Sequence, residues 1–136
     1  MFRRATAGNA LNDEILVIAR RSYAGIPAEL RRFADDIVIT IQDFPDGETL
    51  DRMGCQSEWD LLGLYQGISV GEKSVGLVAP DPDRIFLYTH PIVAYADYTG
   101  ESLEDVVRHV LIHEIGHHFG LSDDDMDRIE QAAEDG

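Results

Sequence analysis

Residues 113–123 read His-Glu-Ile-Gly-His-His-Phe-Gly-Leu-Ser-Asp, the pattern H-E-x-x-H-x-x-G-x-x-D. Two histidines four residues apart on a helix share one face, so His113 and His117 can grip a single metal ion. Glu114 stands beside the first of them, where a carboxylate can serve as general base in metal-assisted hydrolysis. Gly120 can take the left-handed conformation that ends a helix and turns the chain. Asp123 then falls where the returning chain offers an oxygen as third ligand. Three protein ligands and one open position describe catalytic zinc, whereas structural zinc is usually closed by four ligands, often thiolates. Cys55 is the only cysteine, which excludes both a thiolate cluster and an intramolecular disulfide.

The elements that must hold these residues can be read from their surroundings. Leu103, Val106, Val107, Val110 and Leu111 follow a helical apolar stripe that leads into the motif. Ser102 is placed to cap that helix, with Asp105 three residues on. Ser122 is placed to cap a final helix, and Asp123, Asp124 and Asp125 suit its positive N-terminal end. Asp123 therefore has a second reading as a helix-end charge, and Asp124 is the alternative ligand. His109 lies one turn before His113, and helical drift favours a supporting role for it over direct ligation. His118 points about 100° away from His117 around the helix and is not expected to ligate.

Upstream, residues 1–10 read as a loose tail and 11–136 as one domain. A helix is expected from Asn12 or Asp13 to about Tyr23, and a short second one from Pro27 to about Phe33. Ile37–Ile41 is β-branched throughout and predicts a strand buried on both faces. Phe44–Glu58 lacks periodicity and reads as a long loop. Leu61–Tyr65 and Arg84–Thr89 predict two further strands, joined by a turn-rich connection over 67–82, and Pro91 stops the last of them. This order predicts an α+β fold, a small three-stranded sheet packed on the motif helix with flanking helices.

Charge narrows the function classes. The 136 residues carry 26 acidic against 11 basic side chains, a formal net charge of −15. Such a surface argues against nucleic acid and against anionic membranes as partners. It fits a soluble monomer. The apolar run Ile15–Ala19 is too short for a signal-peptide core or a membrane span, and one cysteine suits a reducing cytoplasm.

The chain resembles the bacterial minimal zincin-like metallopeptidases, within the zincin superfamily. The resemblance rests on His113–Asp123, on Val107-Arg108-His109, on Leu61-Leu62-Gly63-Leu64-Tyr65-Gln66-Gly67 and on Asp83-Arg84-Ile85-Phe86-Leu87-Tyr88, and spans roughly residues 13 to 130. It implies a minimal zincin-like fold and a Zn2+-dependent hydrolase acting on peptide or protein substrates. His113, His117 and Asp123 would be the ligands, and Glu114 would activate a zinc-bound water. It also implies that an extended peptide lies along an edge strand above the metal. Leu61–Tyr65 is the candidate edge, with Leu64 and Tyr65 as substrate contacts, because its glycines allow a second backbone to approach. Only 13 residues follow Asp123, and Met126 lies too close to form an independent methionine-bearing turn, so a full metzincin architecture is not expected.

Tyr65, Tyr88, His90, Tyr95 and Tyr98 are candidates to stabilise an oxyanion. Two other functions compete. One is a non-catalytic zinc-containing module that binds a peptide without turnover. The other is a metal-dependent ribonuclease with similar ligand spacing, which the adjacent Glu114 and the acidic charge disfavour.

Overall fold

Side-chain caps set the helix ends around the motif. Ser102 Oγ accepts from the Asp105 N–H at 3.0 Å, and Ser122 Oγ accepts from the Asp125 N–H at 3.1 Å. Between them Gly120 takes φ +79° and the Leu121 N–H returns to the Gly116 carbonyl at 2.9 Å, the closure of a Schellman turn. The computed structural model describes residues 7–31, 37–67 and 83–135. Their elements are α1 (Ala7–Ala24), α2 (Ala28–Arg31), β1 (Val38–Gln42), α3 (Gly47–Met53), β2 (Gly63–Gln66), β3 (Arg84–Tyr88), α4 (Thr89–Thr99), α5 (Leu103–His118) and α6 (Asp123–Asp135).

The fold is α+β, as the order of sequence patterns predicts. The three strands form one mixed sheet in the order β1-β3-β2, with β3 parallel to β1 and antiparallel to β2. Helix α5 buries Val106, Val107, Val110, Leu111, Ile112 and Ile115. They join one core with Ile15, Ile18 and Ala19 of α1, Ile85 and Leu87 of β3, and Met126 and Ile129 of α6. Each such aliphatic side chain contributes roughly 1.5–3 kcal/mol when fully buried, so the motif helix is anchored on its inner side by several times that. No helix among the described residues is long and apolar enough to cross a membrane.

Four expectations change. First, β1 is not buried on both faces. Among the described strands it lies at an edge, and Val38 is exposed. β-Branched residues fit a pleated surface at an edge as well as at the centre, so the run Ile37–Ile41 does not report its place in the sheet. The central strand is β3. Second, α1 begins at Ala7 rather than at Asn12 or Asp13, while residues 1–6 lie outside the described residues. Asn12 does not cap a helix. Its Nδ2 donates to Asp43 Oδ1 at 3.2 Å and its Oδ1 accepts from Thr89 Oγ1 at 2.6 Å, tying α1 to the ends of β1 and β3. Third, the segment read as a loop holds α3, capped by Asp46, which accepts from the Thr49 N–H at 2.8 Å, and closed by Gly54 at φ 70°. Fourth, the third strand ends at Tyr88, and Pro91 falls in the first turn of α4, where a missing N–H leaves no helical bond unmade. The expected helix end near Phe33 and the connection over 68–82 lie outside the described residues.

Candidate metal centre

Two stripes of α5 build the site, and each faces a different element. Two residues of a strand advance about 6.6 Å and four of a helix about 6.0 Å, so a strand and a helix can run in step. Strand β2 and helix α5 do so. Gly63 lies against Val110, the Tyr65 N–H donates to Glu114 Oε1 at 3.0 Å, and the Tyr65 ring stacks on His118 with centroids 3.9 Å apart. Gly63 permits this approach. A Cβ there would sit 2.6 Å from Val110 Cγ1 and 3.0 Å from the Phe86 carbonyl oxygen. Val110, Glu114 and His118 thus form the stripe that faces the sheet.

The neighbouring stripe, about 100° around the helix, is His109, His113 and His117. It faces α6, which returns antiparallel to α5 after the Gly120 turn. His117 Nε2 lies 3.8 Å from Asp123 Oδ1 at the turn end of the helical hairpin, and their side chains are 59% and 87% exposed. Deeper in, His113 Nε2 lies 3.5 Å from Glu130 Oε1, with side-chain exposures of 19% and 17%. His109 Nδ1 lies 2.9 and 3.1 Å from the two Glu130 oxygens. The ring centroids of His113 and His117 are 5.9 Å apart, and those of His109 and His113 are 4.0 Å apart.

The structure therefore brings His113, His117 and Asp123 to one side of α5, with Asp123 the most loosely placed. It also brings in Glu130, which the sequence reading missed. Glu130 is seven residues after Asp123, two turns along a capped helix, so periodicity alone could have placed both on one face. His109 stacks on His113.

The electrostatics suit a metal. Burial, reinforced by the nearby His109 and His117, holds the His113 imidazole below its usual pKa, with Glu130 opposing, so His113 favours the neutral form that ligates. Its Nε2 is buried and has no hydrogen-bond partner among the described residues. A buried nitrogen lone pair or N–H without a partner is costly, and a bound cation on this stripe removes that cost. Two imidazoles and a carboxylate match the donor set of catalytic zinc.

The remaining expected site residues are placed as follows. Leu64 and Tyr65 lie on β2, which pairs with β3 alone among the described strands. Leu64 is half-buried beside Phe86, and the Tyr65 hydroxyl donates to Asp83 Oδ2 at 2.7 Å. Burial, with that bond, pushes the Tyr65 phenol above its ordinary range. Tyr88 is buried, His90 Nε2 lies 3.7 Å from Asp43 Oδ1, and Tyr95 and Tyr98 are exposed on α4. The Tyr65 hydroxyl proton is thus engaged with Asp83.

A strand-edged sheet over a helix bearing H-E-x-x-H defines a zincin-like protein. The family model for the Zincin-like metallopeptidase family matches residues 34–133, and the chain belongs to that family. Membership implies a metal, typically zinc. No curated protein matches the chain.

Proposed function

We propose that the protein is a zinc-dependent peptidase in which His113, His117 and Asp123 hold the metal and Glu114 carries the proton. Zinc held by such ligands supplies Lewis acidity, which acidifies water and polarises a carbonyl. The observation that supports the reading best is the 3.0 Å hydrogen bond from the Tyr65 N–H to Glu114 Oε1. It fixes a carboxylate between the histidine stripe and the side of β2 that no other described strand pairs, where an extended peptide would add as a further strand through the groups that Glu114 leaves free.

Burial raises the Glu114 pKa above its ordinary value, against the lowering effects of the Tyr65 N–H and of His117. A carboxyl shifted upward is a better match to a cycle in which it first accepts a proton from attacking water and then returns it to the leaving amine. Leu64 and Tyr65 would contact the substrate backbone along β2, which favours peptides over a substrate recognised by a closed pocket.

Glu114→Gln tests this against a binding module without turnover. Gln keeps the shape and can still accept from Tyr65. Peptide hydrolysis should fall by at least ~10²-fold, the low end for loss of a general base. Zinc content should stay the same. A variant that cleaves at the parental rate would remove Glu114 from the chemistry, and a zinc-loaded parent that cleaves no peptide would favour the binding module.

A further inference from the structure

Among the described residues, one group of three ligand atoms lies within 4.8 Å of one another, and it is not the motif set. It is His109, His113 and Glu130. In a tetrahedral site with bonds of about 2.0 Å, ligand atoms stand roughly 3.3 Å apart. The two measured separations from Glu130 Oε1 bracket that figure, 2.9 Å to His109 Nδ1 and 3.5 Å to His113 Nε2. An ion pair alone accounts for the His109 contact. It leaves His113 Nε2 buried and without a hydrogen bond among the described residues, facing a carboxylate that has turned to His109. A cation between the three satisfies all of them. The cluster is reachable from solvent at one member, since the His109 side chain is 51% exposed.

We propose that His109, His113 and Glu130 form a second site for a zinc-class divalent cation, one helical turn inward from the motif site. Both sites need His113 Nε2, so they are mutually exclusive and the chain holds one ion in either place. The ligands are borderline nitrogens and one carboxylate, which select zinc, cobalt or nickel over calcium or magnesium. Glu114 faces the sheet rather than α6, so an ion in the inner site is stored away from the proposed chemistry. The inference shares His113 with the peptidase reading, and its test separates the two.

The test is zinc binding by equilibrium titration and metal analysis of four full-length proteins: the parent, His117→Ala, Glu130→Gln, and the double variant. Circular dichroism checks that each is folded. The parent and Glu130→Gln should each bind one zinc. His117→Ala should still bind one zinc, more weakly, through the inner site. Adding Glu130→Gln to His117→Ala should weaken binding further by more than ~10²-fold, the upper end for losing only an outer partner of a ligand. Should the double variant misfold, His109→Ala in the His117→Ala background gives the same reading. A His117→Ala protein that loses zinc outright, or whose affinity is indifferent to Glu130 and His109, overturns the inner site and leaves the peptidase reading standing. A folded parent that binds no zinc defeats both.

Discussion

At the scale of single residues, His113 is the one histidine that both proposed metal arrangements need. It is the best-buried histidine of its stripe, burial favours its neutral form, and its Nε2 lies 3.5 Å from the Glu130 carboxylate. His113→Ala is therefore expected to abolish stoichiometric zinc, read by metal analysis after dialysis, and a folded variant retaining one zinc would reject the ligand stripe as a whole. Asp123 and Asp124 differ more subtly. Both follow the Ser122 cap, where a negative charge favours the helix end. Only Asp123 stands within 3.8 Å of His117 Nε2. Asp123→Ala should weaken zinc more than Asp124→Ala in a competition titration, and equal losses would reduce Asp123 to a helix-end charge. That His113, Glu114, His117 and Asp123 gather at one end of α5 was legible in the sequence, because it depends on spacing along one helix and one turn. Periodicity puts Glu130 on one face of α6 with Asp123, but its approach to His113 depends on how α6 folds back on α5.

Among elements, the pairing of β2 with α5 decides whether Glu114 meets an edge strand at all. It depends on Gly63, where the backbone carbonyl of Phe86 and the Val110 methyl leave no room for a Cβ. A backbone atom cannot yield as a long side chain can. Gly63→Ala should cost about 1–3 kcal/mol in denaturant unfolding, the usual range for overpacking. Gly47→Ala, at the start of α3 with open space around it, should be neutral or slightly stabilising. Equal effects at the two positions would refute the close approach. The strand positions were readable because β-branched runs and glycine punctuation are local signals. The place of β1 at an edge was not, since sheet order is set by pairing partners far apart in the chain. Helix α3 was readable in principle, from Asp46 with Thr49 three residues on and Gly54 beyond the end. A lack of apolar periodicity in a short surface helix hid it.

For the whole molecule, stability should carry a mark of where β3 runs into α4. Tyr88 ends the central strand there, 2% exposed, beside a polar recess lined by Gln42, Asp46, Arg52 and Gln66. Burial, and then the negative charge of Asp46, pushes its phenol from an ordinary 10.0 up to about 12, with Arg52 opposing. The sign follows from which state loses its proton first. Below pH 10 both states keep it and the buried neutral phenol contributes its full stability. Between pH 10 and about 12 the unfolded chain ionises while the folded one does not, so the unfolded state is favoured and that contribution is lost as pH rises. One such group gives a slope of at most about 1.4 kcal/mol per pH unit. The raised Tyr65 phenol acts in the same direction. Tyr88→Phe removes one of the two ionisations and keeps the ring. Unfolding free energies measured at pH 9, 10 and 11 should therefore fall less steeply in the variant than in the parent. Parallel slopes would mean that Tyr88 ionises alike in both states, and so that the β3–α4 junction is open to water in the folded protein.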